Sequence, residues 1–84
     1  MDIRTLSYFV VIAEELNITK AAEKLCMSQP PLSSQIKNLE EELDTVLFIR
    51  GKRHLQLTDS GKLLYRHAKE ILSFTVSNSN KLQF

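Results

Sequence analysis

The densest group of chemically capable side chains in this sequence of 84 residues is Arg50, Lys52, Arg53 and His54, set in a stretch with no acid between Asp44 and Asp59. A second group is Ser28, Gln29, Pro30, Pro31, Ser33, Ser34 and Lys37, short hydrogen-bonding side chains and one cation interleaved with prolines. Neither group is suited to catalysis. Ser33 and Ser34 have no general base at a triad-like spacing. Cys26 is the single cysteine, so it has no disulfide partner, and without clustered histidines it reads as a small apolar filler rather than a redox or metal group. His54 and His67 stand apart from each other, and neither suggests a metal or a proton-transfer site. The chemistry left is anion binding by guanidinium and ammonium groups, with hydroxyls and amides recognising polar edges. Such work needs no cofactor and describes a protein that is not an enzyme. So short a basic cluster, taken alone, is equally a solvated turn.

Apolar spacing shows which elements must carry these groups. Leu6, Phe9, Val10 and Ala13 lie at i, i+3, i+4 and i+7, the stripe of an amphipathic helix from about residue 2 to about 15, with Asp2 at its start. Thr19 is placed to cap a second helix from Lys20 to Leu25, in which Ala21 and Ala22 give a small-residue face. Cys26 and Met27 interrupt, and Ser28 opens a third helix with Pro30 and Pro31 in its first turn, where a missing amide hydrogen costs nothing. Leu32, Ile36, Leu39 and Leu43 then step by 4, 3 and 4 and form its buried side. The opposite side presents Pro30, Ser33, Ser34, Lys37 and Asn38, and Glu41 toward the end. Glu40, Glu41 and Glu42 crowd the C-terminal end, so only the N-terminal half suits an anion.

Val46 to Ile49 and His54 to Leu57 are short β-prone stretches around Arg50, Gly51, Lys52 and Arg53, a hairpin with a basic tip. Thr58 caps a fourth helix with Asp59 in its first turn. Along it Leu64, Ala68, Ile71, Thr75, Asn78 and Leu82 form a heptad-like seam that fades from apolar to polar. Over about 24 residues that helix would reach about 36 Å, more than so small a core can cover, so part of it projects.

Hydrophobic residues at 43% and charged residues at 25% describe an ordinary globular domain of mainly α class with a small β-hairpin, not a disordered or low-complexity chain. The longest apolar run, FVVIA, is too short to span a bilayer, and the N-terminus lacks the features of a signal peptide, so a reducing cytoplasmic setting with no membrane partner is expected. Net charge is +1, but residues 1–42 carry four Lys/Arg against seven acids and residues 43–84 carry seven against three. That segregation concentrates cations in the half containing the hairpin.

Two short helices joined by a tight turn, the second exposing small polar groups at its N-terminal end, form a helix-turn-helix. Its second helix fits the major groove of double-stranded DNA, while Thr19, Lys20 and Ser28 lie at helix starts whose amides suit phosphates. The basic hairpin extends the footprint to an adjacent minor groove or backbone. The competing class with the same architecture is a protein-interaction module that binds no nucleic acid.

The residue string goes further. AAEKL, SQPPLSSQI and NLEEEL, then LF followed by Arg50, then LT and Gly61, closely resemble the N-terminal DNA-binding domain of LysR-type transcriptional regulators, without a gap from residue 1 to about 75. The resemblance implies a bacterial winged helix-turn-helix at residues 1–58, with the recognition helix at about 29–42 and the wing at about 46–57. It also implies a long linker helix at residues 59–84 that dimerises, with Leu64, Ala68, Ile71, Leu72 and Thr75 as the expected pairing surface, an interrupted palindrome as the DNA target, and a tetramer in a full-length regulator. On that basis Gln29, Pro30, Pro31 and Ser33 meet bases and sugar-phosphate, and Arg53 enters the minor groove. Two departures stand out. Ser34 replaces the arginine common in the family, removing a long-reach contact, and Asp44 stands where glycine is more usual. Asp44 tolerates a left-handed backbone better than most residues.

Overall fold

The computed structural model describes residues 2–51 and 53–83, with side chains through residue 72. Four helices and one hairpin follow in the order α1 (Ile3–Glu15), α2 (Ile18–Lys24), α3 (Gln29–Leu43), β1 (Phe48–Arg50), β2 (Leu55–Leu57) and α4 (Asp59–Gln83).

Helix α1 is the hub. The Asp2 carboxylate caps it by accepting the Thr5 N–H at 2.8 Å. Its apolar stripe buries Leu6, Phe9, Val10, Ile12 and Ala13. Against it pack Ala21 and Ala22 of α2, Leu32, Ile36 and Leu39 of α3, Leu47 before the hairpin, and Ala68 of α4. The alanines let α2 approach closely. Leu43, expected on the buried side of α3, is 37% exposed, because the helix ends there in a left-handed Asp44 at φ 52°. That left-handed conformation is the one expected of Asp44.

Two helix starts differ in detail. The cap of α2 is Asn17, whose side chain accepts the Lys20 N–H at 2.9 Å, and not Thr19, which lies inside the first turn. Asparagine competes well for a cap because its carbonyl reaches the second or third amide of the helix. Thr58 does cap α4, its hydroxyl accepting the Gly61 N–H at 2.9 Å. The same hydroxyl donates to the Val46 carbonyl at 2.6 Å, tying the start of α4 to the segment leading into β1.

The strands are three residues each and antiparallel, pairing Phe48 with Leu57, Ile49 with Gln56, and Arg50 with Leu55. They are shorter than expected because Val46 and Leu47 bond elsewhere. Leu47 is buried, and its carbonyl accepts the Thr58 N–H at 3.0 Å. Leu55 and Leu57 are half-buried while His54 and Gln56 are exposed, the alternation expected of a hairpin resting on helices. Phe48 meets Phe9 with ring centroids 5.4 Å apart, and the Leu55 N–H donates to the Leu16 carbonyl at 2.9 Å, so the hairpin is anchored on α1. Gly61 is required where α4 crosses this segment, since a Cβ there would lie 2.3 Å from the Leu47 carbonyl oxygen.

Candidate nucleic-acid interface

Helix α3 begins at Ser28, whose backbone is extended and whose side chain makes no capping bond. Pro30 and Pro31 follow in the first turn, so the helix starts without spending amide hydrogens it could not pair. Its buried residues Leu32, Ile36 and Leu39 turn toward α1 and leave Gln29, Pro30, Pro31, Ser33, Ser34 and Lys37 exposed. Thr19 and Lys20 are exposed on α2 beside them. One contact joins the two groups: the Gln29 Nε2 donates to Thr19 Oγ1 at 2.7 Å.

The hairpin comes to the same side. Thr19, Gln29, Arg50, Arg53 and His54 line one shallow groove between the helix-turn-helix and the hairpin. An adjoining depression is lined by Ser33, Lys37 and Glu40 of α3 together with Arg50. The two sequence groups, about twenty residues apart along the chain, thus share a continuous exposed surface bearing Lys37, Arg50 and Arg53. Lys52 lies outside the described residues, so the structure gives no position for it.

Sequence reasoning missed what holds this surface in shape. Glu40 does not merely crowd the end of α3. Its Oε2 accepts the Leu47 N–H at 2.7 Å and the Phe48 N–H at 3.2 Å, fastening the recognition segment to the first strand. A carboxylate on the margin between the buried stripe and the solvent side was the available signal. Asn17 and Ile18 also line the groove, and the cap-forming type of Asn17 was the sign that α2 starts before Lys20. The turn between α2 and α3 passes through Cys26 at φ 56°, and its side chain is exposed rather than filling a gap in the core, which corrects the expectation of an apolar filler.

The expected pairing surface on α4 divides. Ala68 is fully buried in the chain's own core, so it cannot also face a second copy, which corrects that assignment. Leu64 and Leu72 are half-buried against the same core, which follows from their position four residues either side of Ala68. Ile71 is 45% exposed and Leu63 55% exposed. Thr75, Asn78 and Leu82 have side chains outside the described residues. Near the base of α4, Glu14 accepts from the Tyr65 hydroxyl at 2.9 Å and from Lys69 Nζ at 3.2 Å. The Tyr65 hydrogen bond, followed by that of Lys69, holds the Glu14 carboxyl below its ordinary value, and the same pairing raises Tyr65 and Lys69.

Chemically, this arrangement offers cations for an anionic backbone and, between them, small hydrogen-bonding groups on a helix that can approach closely. Among the described residues no group of three or more His, Cys, Asp or Glu could hold a metal, and no helix is long and apolar enough to cross a membrane.

A helix-turn-helix with a basic two-stranded wing and a long terminal helix is a winged helix-turn-helix domain. The chain belongs to the bacterial regulatory helix-turn-helix proteins of the lysR family, whose profile matches residues 3–62. It is 52% identical over 73 residues to the HTH-type transcriptional regulator BenM of Acinetobacter baylyi, covering 87% of this chain and 24% of BenM. To the HTH-type transcriptional regulator BsdA of Bacillus subtilis it is 56% identical over 73 residues, covering 86% of this chain and 25% of BsdA. The chain thus matches about a quarter of the length of these relatives. Among solved structures, the BenM DBD/catB site 1 DNA complex superposes with a TM-score of 0.92 at 46% identity, covering 99% of this chain and 93% of that one. The CbnR DBD-DNA complex gives 0.88 at 35% identity, covering 99% and 95%.

Proposed function

We propose that this chain binds double-stranded DNA sequence-specifically, as the DNA-binding part of a longer transcriptional regulator. The first two turns of α3 enter the major groove, and the hairpin reaches the adjacent minor groove. The observation that carries this reading is the groove lined jointly by Gln29 of α3 and by Arg50 and Arg53 of the wing. A major groove about 12 Å wide admits one helix, and small side chains such as Ser33 and Ser34 keep its backbone near the base edges. Solved DNA complexes of BenM and CbnR DNA-binding domains support it by likeness of fold and sequence.

In this reading residues 1–58 form the DNA-binding unit and residues 59–84 a linker that pairs two copies. Among the described residues, Leu63 and Ile71 are exposed apolar positions of α4 that such pairing covers. Two copies reading an interrupted palindrome, and a tetramer in the longer regulator, follow from the same reading, as does a cytoplasmic setting.

Salt dependence tests it. If Lys20, Lys37, Arg50, Lys52 and Arg53 each neutralise a phosphate, log affinity for duplex falls against log salt with a slope of about −4.5 per protomer. A flat slope, or no binding to any duplex at about 50 mM salt, instead identifies a protein-interaction module.

A further inference from the structure

Resting on the DNA-binding reading above, we propose that Thr19 is a positioning residue for base recognition: it holds the Gln29 side-chain amide in one orientation, so that the amide selects adenine at one base pair of each half-site. Gln29 Nε2 donates to Thr19 Oγ1 at 2.7 Å, and both residues are exposed at the groove that the wing arginines share. A glutamine amide carries one carbonyl oxygen and two N–H groups. Thr19 engages one N–H. The carbonyl and the remaining N–H then form an acceptor beside a donor, the edge that complements adenine, whose N6 amino group donates and whose N7 accepts.

An unanchored glutamine at an exposed helix start rotates about three side-chain torsions and presents either end of its amide, so it discriminates poorly. The contact is made across the turn, from the first turn of α2 to the first residue of α3, so the geometry of the helix-turn-helix itself sets the readout. It also gives Thr19 a function once Asn17 has taken the capping role.

The test is selection from a randomised duplex pool with the 84-residue chain, its Thr19→Val, Thr19→Ser and Gln29→Ala variants, and the Thr19→Val/Gln29→Ala double variant. Thr19 is exposed, and thermal melting verifies that each variant is folded. The expected result is an adenine preference in the parent chain that Thr19→Val lowers by about threefold to tenfold, the weight of one hydrogen bond. Thr19→Ser, which keeps the hydroxyl, restores it, and Thr19→Val changes nothing further once Gln29 is alanine. An adenine preference unchanged in Thr19→Val overturns the proposal and leaves DNA binding standing. So does a uniform loss of affinity over all sequences with a salt slope shallower by about one, which marks Thr19 as a phosphate contact. A parent chain that enriches no sequence overturns this proposal together with the function on which it rests.

Discussion

Replacing Glu40 with alanine should loosen the wing and destabilise the whole domain, although nothing in the apolar core is touched. The Glu40 Oε2 accepts two backbone N–H groups, Leu47 at 2.7 Å and Phe48 at 3.2 Å, at a half-buried site beside the fully buried Leu47. A hydrogen bond to an ionised group contributes about 1.5 to 3 kcal/mol. The shorter bond belongs near the top of that range and the longer one near or below the bottom, and because they share one oxygen they do not simply add. Glu40→Ala should therefore cost about 3 kcal/mol. A domain of this size has in total about 4 to 13 kcal/mol, so the loss is a large fraction. It lowers Tm by about 12 to 24 °C, taking about 4 to 8 °C per kcal/mol. Glu40→Gln keeps a neutral acceptor and should lose about half as much. Urea unfolding followed by circular dichroism measures both, with an unchanged m-value showing that the native fold is retained. A loss below about 0.5 kcal/mol for the alanine variant, the range of ordinary surface changes, or equal losses for alanine and glutamine, would rule out this fastening role for the Glu40 carboxylate.

Further predictions concern other joints. Gly61→Ala puts a methyl 2.3 Å from the Leu47 carbonyl oxygen and 2.8 Å from Leu57 Cδ2, so it should cost about 2 kcal/mol or more by urea unfolding. The Glu14 carboxyl, held below its ordinary value by Tyr65 and then Lys69, stabilises the domain fully above the ordinary glutamate range and ceases to as pH falls through its lowered value. Glu14→Gln should accordingly flatten the acid limb of the stability profile, as read by melting from neutral pH downward. Ile71→Asp, at a 45% exposed position, should give a folded monomer in sedimentation with much weaker duplex binding, while the parent chain sediments as a dimer at tens of micromolar. Arg53→Ala should weaken duplex binding by about 1 to 3 kcal/mol with an unchanged melting temperature.

The parts of this domain that local chemistry controls were readable in the residue order. The i, i+3, i+4 stripe of α1, the two prolines opening α3 and Thr58 as a cap each follow from side chains acting within a turn or two of the backbone, whereas the left-handed Asp44 was legible only through the glycine that the resembling family carries there. Contacts between distant segments were not readable. Glu40 looks like one of three acids at an unfavourable helix end until the Leu47 and Phe48 amides are seen beside it. Thr19 and Asn17 both suit a cap, and only the backbone reveals that Asn17 takes the position while Thr19 meets Gln29. Ala68 falls on a seam whose period fits pairing with a second copy as well as packing on α1, and burial decides for α1. Lys37, Arg50 and Arg53 were each legible as cations, whereas their meeting on one surface depends on the anchoring of the hairpin by Leu16 and Phe9.

If the opening turns of α3 and the wing together grip one duplex, both must respond when it binds. Titrating the isotopically labelled chain with an enriched duplex, and following its backbone amide resonances, measures that response residue by residue. The largest shifts should fall on Thr19, Lys20, Gln29, Ser33, Ser34 and Lys37 and, in the wing, on Arg50 and Arg53. Shifts confined to the acidic end of α3, from Glu41 to Leu43, or a wing whose resonances stay unmoved while α3 responds, would contradict that joint grip.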